Sequence, residues 1–148
     1  MAIATFTGQN LGAGKEGRIR RGFHFTLLMS GGIAVLISVL LLVFRAPMIR
    51  LFNTEPGVVA MGGEYLSWVA PFYILFSTMY IVTGVLRGAG ATMEVMLFTL
   101  VSQWLVRIPL SLWFSSLWGT HGIWISIPIS WAMSICMSGG YYLSGKWK

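Results

Sequence analysis

Acid is scarce in this 148-residue chain: it has no Asp and four Glu, at Glu16, Glu55, Glu64 and Glu94. They form no close carboxylate pair for general acid–base work, and all four are expected outside the membrane spans described below. Cys136 is the lone cysteine, which excludes an internal disulfide. His24 and His121 are expected at opposite ends of the spans, which excludes a shared metal site. No G-x-S-x-G stretch or paired base marks a serine nucleophile. These absences argue against an enzyme and against a bound cofactor. Charge is scarce too, at 9% of residues, where a soluble domain carries about 25%. A cleavable signal peptide is not expected either, because the first dozen residues lack a basic stretch ahead of an apolar core.

What the chain has instead is apolar length. Hydrophobic residues make up 56% of it, and the mean hydropathy is +0.77. Four runs, 23–44, 65–86, 95–118 and 122–143, are 22 to 24 residues long, against the roughly 20 that a crossing helix needs. Barrel strands would be about 10 residues of alternating pattern, so helices are expected. The fold class read from the sequence is therefore all-α and integral to the membrane, with residues 23–148 as a four-span region. Residues 1–22 form a separate head: 2–13 is too short to cross and reads as the end of a further helix, followed by a basic turn. The net charge of +6 does not call for nucleic acid as partner; basic loops beside anionic lipid account for it.

Those basic residues also give an orientation. With both termini cytoplasmic, Lys15, Arg18, Arg20, Arg21, Arg87, Lys146 and Lys148 lie inside, and Arg45 and Arg50 outside. Seven against two is the expected bias. Residues 46–64 are then a long outer loop along the surface, 87–94 a short inner loop and 119–121 a tight outer turn. Trp113, Trp118, Trp124, Tyr141, Tyr142 and Trp147 fall near span ends, as interface anchors do.

Gly12-Ala13-Gly14-Lys15-Glu16-Gly17 matches the dinucleotide pattern G-x-G-x-x-G. Its context does not. No acid follows between Glu16 and Glu55 to hold a ribose, and an apolar span follows in place of a βαβ unit. A Walker A loop would need Gly at Gln9 and Ser or Thr at Glu16.

Within the spans, polar residues are informative because lipid disfavours them. Thr99, Gln103, Arg107, Ser111 and Ser115 recur every fourth residue and make a slowly winding stripe. Arg107 lies near mid-depth, where it costs about 2.5–3.5 kcal/mol against lipid. Its face should meet protein or water, either as a cavity wall or as a structural lock onto carbonyls or an acid. Tyr73, Ser77, Tyr80 and Gly84 share a face that suits flat apolar molecules or ordinary aromatic packing. Tyr73, Tyr80, Gln103 and Arg107 are thus the candidate cavity residues. Ser126, Ser130, Ser134 and Ser138, and Ser30, Ala34 and Ser38, read as packing stripes. Gly8 and Gly12 have the spacing of a close helix contact. Pro71, Pro109 and Pro128 interrupt three spans and free the carbonyls of Ser67, Leu105 and Trp124.

The stretches "GQNLGAGK" at 8–15, "GVLRGAGAT" at 84–92 and "VRIPLSLWF…GTHGIWIS" across 106–126 resemble the C-terminal half of multidrug and toxic compound extrusion (MATE) transporters. The resemblance runs along nearly the whole chain. It implies part of the C-terminal six-helix lobe of a twelve-helix transporter, from the end of helix eight to helix twelve. It also implies export of small cationic amphipathic drugs or dyes in exchange for protons or sodium, in the cell membrane. The partners implied are membrane lipids and a missing N-terminal lobe or partner chain, without which transport is not expected. Helices ten and eleven border the family's cavity and would carry Tyr73, Tyr80, Gln103 and Arg107. In one respect the chain departs: 65–86 has no carboxylate where some members carry one on helix ten. A flippase for lipid-linked substrates, a small four-helix exporter working as a homodimer and a non-transporting membrane subunit are the alternative readings.

Overall fold

A computed structural model describes residues 2–147; Lys148, one of the basic residues counted above, lies outside them. The described residues form helices α1 (Ala2–Gly12), α2 (Glu16–Val43), α3 (Arg45–Arg50), α4 (Pro56–Val69), α5 (Tyr73–Gly88), α6 (Thr92–Leu100), α7 (Arg107–Trp118) and α8 (Thr120–Ser144). A 3-10 turn, Ala70–Phe72, joins α4 to α5, and a π-helical segment, Val101–Val106, joins α6 to α7. Four rods result that are long and apolar enough to cross a membrane: Glu16–Val43, Pro56–Gly88, Thr92–Trp118 and Thr120–Ser144.

The rods outrun the apolar runs at several ends. The first begins at Glu16, so Arg18, Arg20 and Arg21 ride on its opening turns rather than in a loop. The segment 46–64 is not a loop along the surface: it holds α3 and the first nine residues of α4. Pro56 sits at the start of α4, where a missing N–H is no loss and the fixed φ suits the helix. Gly62 and Gly63 do not break it, because α3 lies against them: a side chain on Gly62 would meet Ile49 Cδ1 at 2.9 Å. Glu16, Glu64 and Glu94 consequently belong to helices, not to loops. Glu16 and Glu94 occupy first turns, where acid favours the helix dipole.

The glycine motif at 12–17 ends a helix. Gly14 has φ +67°, the Gly14 N–H donates to the Leu11 carbonyl at 2.9 Å, and the Lys15 N–H donates to the Asn10 carbonyl at 2.8 Å. This is the Schellman pattern, in which a left-handed glycine turns the chain back over its last carbonyls. The same device closes α5: Gly90 has φ +95°, and the N–H groups of Gly90 and Ala91 reach Arg87 and Leu86. The two Gly-Ala-Gly triplets cap helices that pack together. A side chain on Gly88 would stand 2.2 Å from the Ala4 carbonyl oxygen, and one on Gly8 would stand 3.0 Å from the Gly88 oxygen. Gly12, by contrast, faces open space, so the close contact runs from Gly8 to Gly88 and not along the Gly8–Gly12 pair.

Two apolar clusters hold the helices together, one toward each end. Ile19, Val85, Leu86, Ala91, Val95 and Trp147 close the end that bears the termini. Val69, Met79, Trp124, Ile127 and Trp131 fill the opposite half. Between them the small residues pack: Ser126, Ser130, Ser134 and Ser138 are all buried on α8, and Ala34 and Ser38 on α2. The α7–α8 hairpin is tight because Gly122 lies directly on the backbone of Phe114 and Ser115. Serine hydroxyls link helices, and besides the Ser67 hydroxyl that accepts from Arg45 across α4 and α3, two such links tie the spans. Ser38 donates to the Ala70 carbonyl at 2.6 Å, beside Pro71, and Ser111 meets Ser126 across α7 and α8 at 2.7 Å.

Candidate functional site

Pro71 sets up the main concavity. It ends α4 in a 3-10 turn, and α5 restarts at Tyr73. Tyr73, Phe76, Ser77 and Tyr80 then project from consecutive turns of α5 into an open groove flanked by α2 and α8. Ser30, Ala34 and Ile37 of α2 form one wall, and Trp131 of α8 stands on the other side. The volume is about 560 Å³. Ligand pockets commonly span about 300–1,000 Å³.

The rings are arranged in series. Phe76 stands 4.8 Å from Tyr80 edge-on and 5.1 Å from Trp131, and Tyr73 lies 6.2 Å from Trp131, centroid to centroid. Tilted rings present both faces and edges, so the groove can take a flat apolar body. No acid or base lines it; the attraction it offers a cation comes from ring faces.

Gln103 and Arg107 are elsewhere. They line a separate shallow recess with Trp104, Ile108, Ser111 and Leu112 on the face of the π segment and α7. Arg107 Nη1 donates to Gln103 Oε1 at 3.3 Å, and Arg107 makes no ion pair with an acid among the described residues. The four candidate residues therefore form two sites: Tyr73 and Tyr80 together, Gln103 and Arg107 together. The polar stripe is shortened as well: Ser111 lines the recess and also meets Ser126, while Thr99 and Ser115 lie outside it and bond back to their own helix.

Phe76, Trp131 and Tyr65 line the groove without having been singled out from the sequence. Phe76 was within reach, being three residues after Tyr73 and four before Tyr80, hence on the same face. Trp131 was not, because its place depends on how α8 docks. A further pair at the far end also needed the fold: His121 Nε2 stands 3.4 Å from Glu64 Oε1, with Trp68 and Trp124 beside the imidazole. Among the described residues no group of three His, Cys, Asp or Glu is placed to hold a metal ion.

A family model described as MatE matches residues 1–113, about three-quarters of the chain. The chain belongs to the MatE family. Its members are transporters rather than enzymes, and this one is a multi-pass membrane protein. Among its relatives are a probable multidrug resistance protein, YpnP, of Bacillus subtilis, 38% identical over 99% of this chain and 33% of that protein. A probable multidrug resistance protein, NorM, of Thermotoga maritima is 27% identical over 100% of this chain and 32% of that protein. A NorM of Pasteurella multocida is 30% identical over 88% of the chain. The chain spans about one third of the length of the first two relatives. No solved structure matches it.

Proposed function

We propose that this MatE chain is the cavity-lining part of a cation-coupled multidrug efflux antiporter that exports cationic amphipathic compounds. The aromatic groove carries this reading. Five aromatic rings without a fixed charge suit flat, delocalised cations and discriminate weakly between them, which is what a multidrug site requires. Relatives named multidrug resistance proteins support it.

Alternating access needs two bodies that move against one another. This chain supplies one, and an N-terminal lobe or partner chain supplies the other. The coupling ion is a proton or sodium held on helix seven or the N-terminal lobe of the full transporter, since 65–86 carries no carboxylate. Both termini face the cytoplasm: Lys15, Arg18, Arg20, Arg21, Arg87 and Lys146 share one end of the bundle, and Arg45 and Arg50 the other.

Two measurements test the proposal. The purified chain should bind a flat cationic dye, and Tyr80→Ala or Trp131→Ala should each weaken binding about tenfold, the scale of a desolvated cation–ring contact. Vesicles holding this chain alone, under a proton or sodium gradient, should move no dye. Unchanged binding in both variants removes the groove from the substrate path, and gradient-driven transport by the chain alone removes the need for a second lobe.

A further inference from the structure

A second groove opens at the end of the bundle that bears the termini, between the start of α2 and the end of α8. It has a volume of about 480 Å³ and a distinct polarity along its length. Arg20 and His24 stand on its α2 side. His24 Nδ1 donates to the Arg20 carbonyl at 2.7 Å, which turns Nε2 away from the helix. Val82 and Gly139 continue the groove toward the bundle's middle, and Leu143, near the end of α8, is apolar beside its mouth.

The groove is built by the C-terminal segment. Gly145 adopts φ +72° and folds the chain back, so that Trp147 is buried and its Nε1 donates to the Tyr142 carbonyl at 2.7 Å. Trp147 stacks on Tyr142 at 5.1 Å with planes 9° apart, and Tyr142 stacks on Phe23 of α2 at 5.1 Å. The three rings make a stiff wall. Gly139 leaves the opposite side clear, since a side chain there would meet nothing within 4 Å.

We propose that this groove holds one anionic phospholipid, with its phosphate on Arg20 and His24 and an acyl chain running inward along Val82 and Gly139. Charge complementarity selects the occupant. Arg18, Arg21 and Lys146 are exposed at the same end of the bundle without lining the groove, and Arg20 offers a planar fork that fits phosphate oxygens. Glu16 lies one turn before Arg20 and has interactions of its own, but it does not line the groove. A basic recess between spans at headgroup depth is a recognised way to hold such lipids, and the apolar floor distinguishes a lipid from free phosphate. The site is a discrete one, unlike the general attraction of a basic segment to anionic headgroups. It does not rest on the transport reading.

The test uses the purified chain in mixed micelles of phosphatidylcholine and phosphatidylglycerol, with lipids retained per chain counted by native mass spectrometry. One phosphatidylglycerol should be retained in preference to phosphatidylcholine. Arg20→Gln should lower its retention about tenfold, the loss expected for hydrogen bonds to a charged group. Arg20→Lys, which keeps the charge and loses the fork, should fall between. Gly139→Leu fills the groove without touching the basic cluster and should lower retention equally, with helicity unchanged by circular dichroism. Arg18→Gln and Arg21→Gln should each change it less than about twofold, as expected for a screened charge outside the groove. Equal retention of both lipids overturns the proposal. So does displacement by inorganic phosphate, or an effect of Arg18→Gln as large as that of Arg20→Gln. If Gly139→Leu does not fold, a graded loss from Arg20→Lys to Arg20→Gln still supports the site, and an equal loss in the two refutes it.

Discussion

Gly88 shows how much can rest on the absence of one side chain. The α1 backbone approaches so closely that any Cβ at this position would stand 2.2 Å from the Ala4 carbonyl oxygen. Gly88→Ala should lower stability by about 1–3 kcal/mol, the usual penalty for overpacking. Gly139→Ala should do the opposite, since its Cβ enters free space and Ala is the better helix former by about 1 kcal/mol. Detergent-solubilised thermal unfolding of the two variants, side by side, checks the contrast; equal midpoints would contradict the α1–α5 contact. Arg107 is a residue of another kind. Its hydrogen-bond partner is Gln103 on its own helix, at 3.3 Å, so it does not lock the described helices together. Arg107→Lys should therefore leave membrane abundance within about twofold, because no buried partner is stranded. A collapse of abundance would show that Arg107 carries a structural bond.

At the scale of the element, the prolines do different things. Pro71 lies in a 3-10 turn whose Ala70 carbonyl takes the Ser38 hydroxyl, so the bend is tied to α2. Ser38→Ala should cost about 0.6–1.7 kcal/mol, the range for polar contacts between membrane helices, and unfolding in mixed micelles would measure it. Pro109 acts on the turn before it. Its ring crowds the Leu105 carbonyl, and the helix upstream widens: the Arg107 N–H reaches back five residues to Ser102. Pro109→Ala restores an N–H for Leu105 and should return Val101–Val106 to α-helical bonding. Amide exchange across 103–107 should then slow about fivefold to tenfold, for roughly one hydrogen bond gained. Exchange at the wild-type rate would mean that the π segment has another cause.

For the whole molecule, burial is uneven. Half of the most apolar window of Thr120–Ser144 is buried, but only 11% of that of Glu16–Val43 and of Thr92–Trp118. The rods α4–α5 and α8 are the interior, and α2 and α6–α7 flank them with Leu28, Leu36, Leu105 and Leu112 exposed. Those faces need lipid or another body against them. The proposed orientation, with both termini cytoplasmic, can be checked. Single cysteines at Thr54 and Thr92, in a Cys136→Ser background, sit in exposed positions at opposite ends. A membrane-impermeant maleimide should label position 54 in intact cells and position 92 only after permeabilisation. Labelling of both from outside would refute the four-span arrangement.

The sequence by itself determined what depends on composition and local spacing. Apolar runs of helical length leave no other backbone arrangement in lipid, so the four spans were legible. The shared face of Tyr73, Ser77 and Tyr80 follows from the helical period and recurs in the groove. Helix ends were less legible: Glu16, Arg18 and Glu64 look like loop residues, yet the helices continue past the apolar run because backbone bonding persists into the polar layer. Only the tertiary structure decided which helix faces meet. Nothing in the local pattern sets Trp131 against Phe76, His121 against Glu64 or Tyr142 against Phe23, or separates Gln103 and Arg107 from the tyrosines. Those pairings come from how rods dock on one another. Docking is set by close approach at Gly8, Gly88 and Gly122, by the turn at Pro71 and by the extra residue that the π segment takes up before Pro109.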